Sequence, residues 1–95
     1  MDQLDKMILS PAFLAVARFY GNTRAERSGV LKIKHIREGL AVLRELDASM
    51  AAKQAFCLHP IVQHDDALRH AKFRLADQDP WAVALAMEYR RVANA

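Results

Sequence analysis

The chain has 95 residues, of which 53% are hydrophobic and 26% charged, and its formal net charge is +3. This length predicts a single domain, residues 1–95, with a small core. The charge favours anionic partners such as nucleotides, but it is too small to indicate a protein that binds duplex nucleic acid. The single cysteine, Cys57, excludes an intramolecular disulfide. Because the apolar fraction is large for so short a chain, we expect another copy of the chain to cover part of its surface.

The sequence predicts neither a membrane segment nor a secretory leader. Its apolar runs are shorter than the roughly 20 residues that a transmembrane helix needs. Asp2 and Asp5 lie where a secretory leader would carry positive charge. We therefore expect a cytoplasmic protein with no membrane partner, and the unpaired thiol also suits a reducing compartment.

The first predicted elements are a short amphipathic piece, Leu4–Leu9, and a helix that begins at Ser10-Pro11. Ser10 is a typical N-cap residue, and proline is favoured at the first helical position. We expect this helix to end at Arg27-Ser28-Gly29, with Gly29 in the left-handed conformation that often closes a helix.

A second helix is predicted by apolar residues at steps of three and four, which mark one buried stripe. The residues of that stripe are Ile33, Ile36, Leu40, Leu43 and Leu46. The polar segment Asp47–Ser49 should break this helix and cap the next one, which runs to His59. Pro60 is expected to end or redirect that third helix, because proline lacks the backbone N–H that a helix interior requires.

Two further helices are predicted after the polar run Gln63–Asp66. One contains Leu68, Phe73 and Leu75, and the last begins at Asp79-Pro80. On the last helix one face carries a row of large side chains: Trp81, Leu85, Tyr89 and Val92. Strand patterns are absent, so the fold class is all-α, a compact bundle of about five helices.

Two histidines occupy a frame that is known from a family of metal-dependent enzymes. The turn Ser28-Gly29 precedes a helix that opens at His35, and a second helix ends in Leu58-His59-Pro60. This arrangement resembles the HD domains of the RelA/SpoT type, in which the second helix ends in Leu-His-Asp. Pro60 stands where that aspartate would be, so the resemblance implies an HD-like frame without its central carboxylate ligand.

The other ligand positions of the family are also changed. Its Glu-Asp pair is Gln63-His64 here, and Tyr89 is the nearest counterpart of its final aspartate. Two histidines without these acids make a poor metal site. We therefore expect no metal, no cofactor and no catalytic residue, with His35 and His59 satisfied by hydrogen bonds. A minimal HD-type phosphohydrolase with a different ligand set remains the enzymatic alternative.

A nucleotide needs cations or backbone amides for its phosphates and a flat group for its base. The turn before His35 and its flanking helices supply both. Arg27 is also the nearest match to an arginine that precedes Ser-Gly in the RelA/SpoT nucleotide-binding segment, although it is one residue closer to the glycine. A smaller basic pair lies at Arg69 and Lys72. The candidate ligand-binding residues are Phe13, Tyr20, Arg24, Arg27, Ser28, Lys32, Lys34, His35 and Arg69. The alternative is that Phe13 belongs to the core and that the basic residues form a solvated surface.

A second resemblance extends over the whole chain. Its motifs are Ser10-Pro11-Ala12-Phe13, the segment from Lys34 to Leu40, the segment from Cys57 to Gln63, and the segment from Glu88 to Asn94. These resemble the phage anti-CBASS sponges, which sequester cyclic di- and trinucleotide messengers without hydrolysing them. The resemblance implies a homohexamer, with dinucleotides between protomers and trinucleotides in separate pockets, in the cytoplasm of an infected bacterial host. A helical inhibitor that acts by protein–protein contact is a further alternative.

Overall fold

The structure, a computed structural model, describes residues 10–63 and 77–93. These residues form four helices: α1 is Pro11–Tyr20, α2 is Lys32–Glu45, α3 is Met50–Val62 and α4 is Pro80–Ala93. Within these two ranges there is no β-strand, so the all-α class is confirmed. The described part has four helices rather than five. The predicted piece Leu4–Leu9 and the predicted helix around Leu68 lie outside the described residues.

Helix α1 starts as predicted and ends earlier than predicted. The backbone N–H of Phe13 donates to the Ser10 hydroxyl at 3.2 Å, and Pro11 opens the helix. The expected end at Gly29 was wrong, because Gly21 takes a positive φ of 51° and its N–H bonds back to Ala17. Gly29 also has a positive φ, of 70°, but it lies in a turn of the segment that follows. Of the two glycines, the first ends the helix.

Helix α2 buries Ile36 and Leu40 and ends just before Leu46. Leu46 was predicted to extend the buried stripe, but its side chain is 71% exposed because the helical periodicity stops at Glu45. Asp47 follows with a φ of 56°, which turns the chain. Ser49 then caps α3 by accepting the N–H of Ala52 at 3.1 Å, so the predicted break and cap are confirmed.

Pro60 was expected to end or redirect helix α3, and the expectation that it ends the helix was wrong, because α3 continues through it. Pro60 has no N–H for the carbonyl of Phe56, which lies four residues earlier. The imidazole Nδ1 of His59 approaches that carbonyl oxygen at 2.5 Å and takes the place of the missing donor. The helix therefore runs to Val62, and Pro60 is buried within it.

Helix α3 lies at the centre of the core and contacts each of the other three helices. Its fully buried residues are Cys57, Leu58, Ile61 and Val62. Helix α4 makes the most extensive contact with α3 and turns two small buried residues, Ala82 and Ala86, toward the core. No helix in the described ranges has the length and apolar character needed to cross a membrane.

One cap and one bond to α3 fix the position of α4. Asp79 accepts the N–H groups of Trp81 and Ala82 at 2.8 and 3.3 Å, as the predicted Asp-Pro start requires. Near the other end, Arg90 donates to the carbonyl of Val62 at 3.0 Å. This bond ties α4 to the last turn of α3, so the two helices keep a fixed register.

Candidate functional site

The segment between α1 and α2, residues 21–31, forms a closed loop that we call the basic loop. Its backbone makes a single antiparallel bridge between Arg24 and Leu31. Three hydrogen bonds of 2.9 Å hold the two sides together: Lys32 to Thr23, Ala25 to Val30, and Gly29 to Ala25. The loop conformation therefore depends on main-chain bonds, and the exposed side chains are available for other contacts.

Two predicted binding residues help to shape the basic loop. The guanidinium of Arg24 donates through Nη1 to the carbonyl of Gly29 at 2.7 Å. Its remaining N–H groups are still available to a ligand, because guanidinium carries a fork of five donors. The hydroxyl of Ser28 accepts the N–H of Val30 at 3.2 Å. The side chains of Arg24 and Ser28 thus support the turn from which Arg27 projects, and all three are exposed.

An aromatic ring and a cation meet at the base of the loop. The ammonium of Lys32 lies 5.9 Å from the centroid of the Tyr20 ring, within the range of a cation–π contact. Tyr20 is half-buried, and burial raises the pKa of its phenol above the ordinary value of 10.0. Phe19 stands beside it, with ring centroids 5.5 Å apart. Two aromatic rings, tilted by 41° to each other, therefore border the basic loop.

The charge around the loop is predominantly positive. Glu26 is the single acidic residue in the sequence from position 18 to position 37, whereas basic residues recur through the same segment. Those basic residues are Arg18, Arg24, Arg27, Lys32, Lys34 and Arg37. Such a local excess attracts phosphate groups, and it is strongest where side chains converge on one turn.

The two histidines that suggested an HD-like frame, His35 and His59, have different neighbours in the structure. His35 is exposed near the start of α2, and its Nδ1 lies 3.6 Å from a carboxylate oxygen of Glu38. His59 instead contacts the rings of Phe56 and Tyr89. Across residues 10–63 and 77–93, no three histidine, cysteine, aspartate or glutamate residues are grouped so that they could hold a metal ion.

One predicted site residue, Phe13, does not join the basic loop. Phe13 is only 4% exposed and packs in the core with Val16, on the inward face of α1, so it offers no second stacking surface. Arg37 covers the edge of this buried region, with its guanidinium carbon 5.8 Å from the Phe13 ring centroid. Arg69 lies outside the described residues. Lys34 is exposed in the first turn of α2, two residues after Lys32.

A groove between α2, α3 and α4 was missed by the sequence reasoning. It has a volume of about 330 Å³ and walls that are largely apolar, including Leu43, Phe56 and Leu85. His59 and Tyr89 supply the remaining rings, with centroids 4.9 Å apart in an edge-to-face arrangement. The one sequence signal was Pro60, since a proline inside a helix leaves a carbonyl that a neighbouring side chain must satisfy.

Comparisons with known proteins identified no relative of this chain. No family model matches the chain, and neither a curated protein nor a solved structure is significantly similar to it. The function is therefore argued from the residues and their geometry.

Proposed function

We propose that this protein binds cyclic di- and trinucleotides at the basic loop and sequesters them without cutting them. One observation carries the proposal: the Tyr20 ring and the Lys32 ammonium lie together at the base of a loop that its own backbone holds closed. A ring suits a nucleobase and a cation suits a phosphate. A cyclic oligonucleotide repeats both groups at short intervals, so adjacent protein groups can engage the same ligand.

The preformed loop reduces the cost of binding. Side chains that are ordered before the ligand arrives lose less conformational entropy when it binds. Arg24 is already held against Gly29, while Arg27 and Lys34 remain exposed to contact further phosphates. His35 at the start of α2 and the hydroxyl of Ser28 are the remaining polar contacts in this proposal. The proposal also includes the HD-like frame, as a helical scaffold without a catalytic metal.

Assembly into a homo-oligomer is part of the same proposal. The anti-CBASS resemblance implies a hexamer that binds dinucleotides between its protomers. Large apolar side chains at the surface support association: Val42 is 57% exposed, Leu46 is 71% exposed and Trp81 is 75% exposed. Burial of such side chains is favourable, at about 25 cal/mol per Å² of apolar surface. The expected setting is the cytoplasm of a phage-infected bacterium.

The direct test mixes the purified protein with a cyclic dinucleotide and with a cyclic trinucleotide, and measures binding by calorimetry. We expect binding at micromolar protein and recovery of the intact nucleotide after denaturation. Arg27→Ala, Arg24→Ala and Tyr20→Leu should each weaken binding by about 1–3 kcal/mol while the protein stays folded. Arg91→Ala removes an equal charge from α4 and should leave affinity unchanged.

Three outcomes would contradict the proposal. If neither nucleotide class binds at micromolar protein, the proposal that the protein sequesters nucleotides is wrong. If the nucleotide is consumed, the alternative of a metal-dependent phosphohydrolase is favoured. Native mass spectrometry of the protein should then detect a bound metal. If the protein instead co-purifies with a host protein and ignores nucleotides, the helical inhibitor is favoured. The same mass measurement gives the number of subunits, and a monomer would remove the hexamer from the proposal.

A further inference from the structure

The groove between α2, α3 and α4 contains a polar atom whose hydrogen-bonding role is fixed by the backbone. Because Pro60 lacks an N–H, the carbonyl of Phe56 is bonded by Nδ1 of His59 at 2.5 Å. A carbonyl oxygen can only accept, so Nδ1 must carry the hydrogen. In the neutral imidazole this leaves Nε2 without a hydrogen, as an acceptor.

That acceptor has no hydrogen-bond partner among the residues that the structure describes. The His59 ring stands between two aromatic neighbours, with its centroid 5.3 Å from the Phe56 ring and 4.9 Å from the Tyr89 ring. All three rings line the groove of about 330 Å³, which Leu43 and Leu85 complete. A groove at the lower end of the size range of ligand sites, mostly apolar and with the polar groups of His59 and Tyr89 in its lining, has the general design of a small-molecule pocket.

We propose that this groove binds a small flat aromatic molecule that carries one N–H or O–H donor at its edge. The ring of the ligand would lie against Phe56, Tyr89 and Leu85, and its donor would bond to Nε2 of His59. The aromatic neighbours favour a flat ring, since edge-to-face and offset contacts between rings add to the gain from apolar burial. The Nε2 acceptor favours a ligand with a donor over an otherwise similar ligand without one, because a ligand without a donor would cover this acceptor and leave it unpaired.

This site is separate from the basic loop in both chemistry and lining. No lysine or arginine is found among the described residues that line the groove, so it lacks the cations that would hold a phosphate in the basic loop. The basic loop residues Arg24 and Arg27 do not line it. The inference therefore goes beyond the proposed nucleotide binding and does not depend on it.

The experiment compares two probes of nearly equal shape, indole and benzofuran, which differ in that indole has an N–H where benzofuran has an oxygen. Each is titrated into the full-length protein, and NMR signals of Leu85 and of the His59 and Tyr89 rings report occupancy. We expect indole to shift these signals and to bind about two- to tenfold more tightly than benzofuran, the ratio that one neutral hydrogen bond supplies.

Two variants locate the site. In His59→Asn the amide N–H can still bond the Phe56 carbonyl, but the Nε2 acceptor is gone, so the preference for indole should fall to about one. Ala52→Leu places a larger side chain in the groove and should weaken both probes at least tenfold. Ala84→Leu, on the exposed side of α4, is its matched control and should bind both probes as the unmodified protein does.

Two results would overturn the inference. Equal affinity for indole and benzofuran in the unmodified protein would show that His59 Nε2 is not the recognising acceptor, even if His59→Asn fails to fold. Indole binding that survives Ala52→Leu would place the ligand elsewhere. Arg27→Ala should leave indole affinity unchanged, so failure of this proposal and failure of nucleotide binding are distinguishable.

Discussion

The basic loop and helix α3 are held in place by opposite means. The loop is fixed mainly by main-chain hydrogen bonds, which the side chains of Arg24 and Ser28 supplement, and most of its side chains are exposed. Helix α3 is fixed by its side chains, of which Cys57, Leu58 and Val62 are fully buried. An exposed loop residue such as Arg27 is therefore free to vary or to bind a ligand without loss of the fold, whereas almost any change on the inner face of α3 alters packing.

The largest expected effect comes from truncating a buried residue of α3. Leu58→Ala removes a side chain that is 0% exposed and leaves a cavity. We expect a loss of about 2–5 kcal/mol in the free energy of unfolding, measured by urea denaturation. Arg27→Ala in the basic loop should change the free energy of unfolding by less than about 0.5 kcal/mol.

For the monomeric chain, Leu46→Ala is the matched control, because this leucine is 71% exposed at the end of α2. This substitution should also change the free energy of unfolding by no more than about 0.5 kcal/mol. Equal losses for Leu58→Ala and Arg27→Ala would end the contrast between the two regions, since the loop would then depend on its side chains as α3 does.

The next effect is a loss of stability in alkali that originates in α3. Burial raises the pKa of the Cys57 thiol from an ordinary value of 9.0 to about 12. The folded state therefore holds this proton more tightly than the unfolded state does. The corresponding stability is complete below about pH 9 and is lost as the pH rises toward 12, by up to about 1.4 kcal/mol per pH unit.

The measurement is the free energy of unfolding between pH 8 and pH 11 for the unmodified protein and for Cys57→Ala. The raised pKa of Tyr20 contributes a slope of the same sign, and that slope remains in the variant. A pH slope that is equal in both proteins would show that Cys57 is not buried as described.

In the basic loop a smaller effect is expected, and it comes from backbone conformation. Gly29 has a φ of 70°, which costs an ordinary residue about 1–2 kcal/mol. No atom lies near the position of an added Cβ, so strain rather than crowding sets the cost. Gly29→Ala should lower the free energy of unfolding by about that amount, and Gly29→Asn by less, because asparagine tolerates this conformation better.

Thermal denaturation of the two variants provides the check. If alanine and asparagine were equally costly at position 29, left-handed strain would not be the cause. A cost above that of Leu58→Ala would reverse the order of the two regions.

The sequence predicted those parts of the structure that depend on neighbours along the chain. Ser10, Ser49 and Asp79 act as helix caps because each side chain bonds an N–H only two or three residues away. The basic character of the turn was equally visible. The end of α1 was misplaced because Gly21 and Gly29 both suit a left-handed residue, and only the structure distinguishes the helix cap from the turn.

The groove and the continuation of α3 were not predictable in the same way. The groove is made by residues far apart in the chain, such as Leu43, Phe56 and Leu85. Continuation of α3 through Pro60 depends on the imidazole of His59, which replaces a backbone donor. Sequence rules that consider only backbone N–H groups predict that the helix ends at Pro60.

The smallest predicted effect tests how closely α2 approaches α3. A Cβ built on Gly39 would collide with the far end of the Phe56 ring. Gly39→Ala gains up to about 1 kcal/mol of helix propensity, yet overpacking typically costs about 1–3 kcal/mol. We therefore expect a net destabilisation of about 1 kcal/mol, together with altered signals from the ring of Phe56.

A double-mutant cycle separates these two contributions. Leucine at position 56 lacks the ring atoms that an added Cβ would meet, so Gly39→Ala in a Phe56→Leu background should become stabilising by about 0.5–1 kcal/mol. A change of sign locates the cost in the contact between the two helices. If Gly39→Ala were destabilising in both backgrounds, the cost would lie within α2 itself. Phe56 would then have room to move, and the groove that it borders would not be fixed by the packing of α2 on α3.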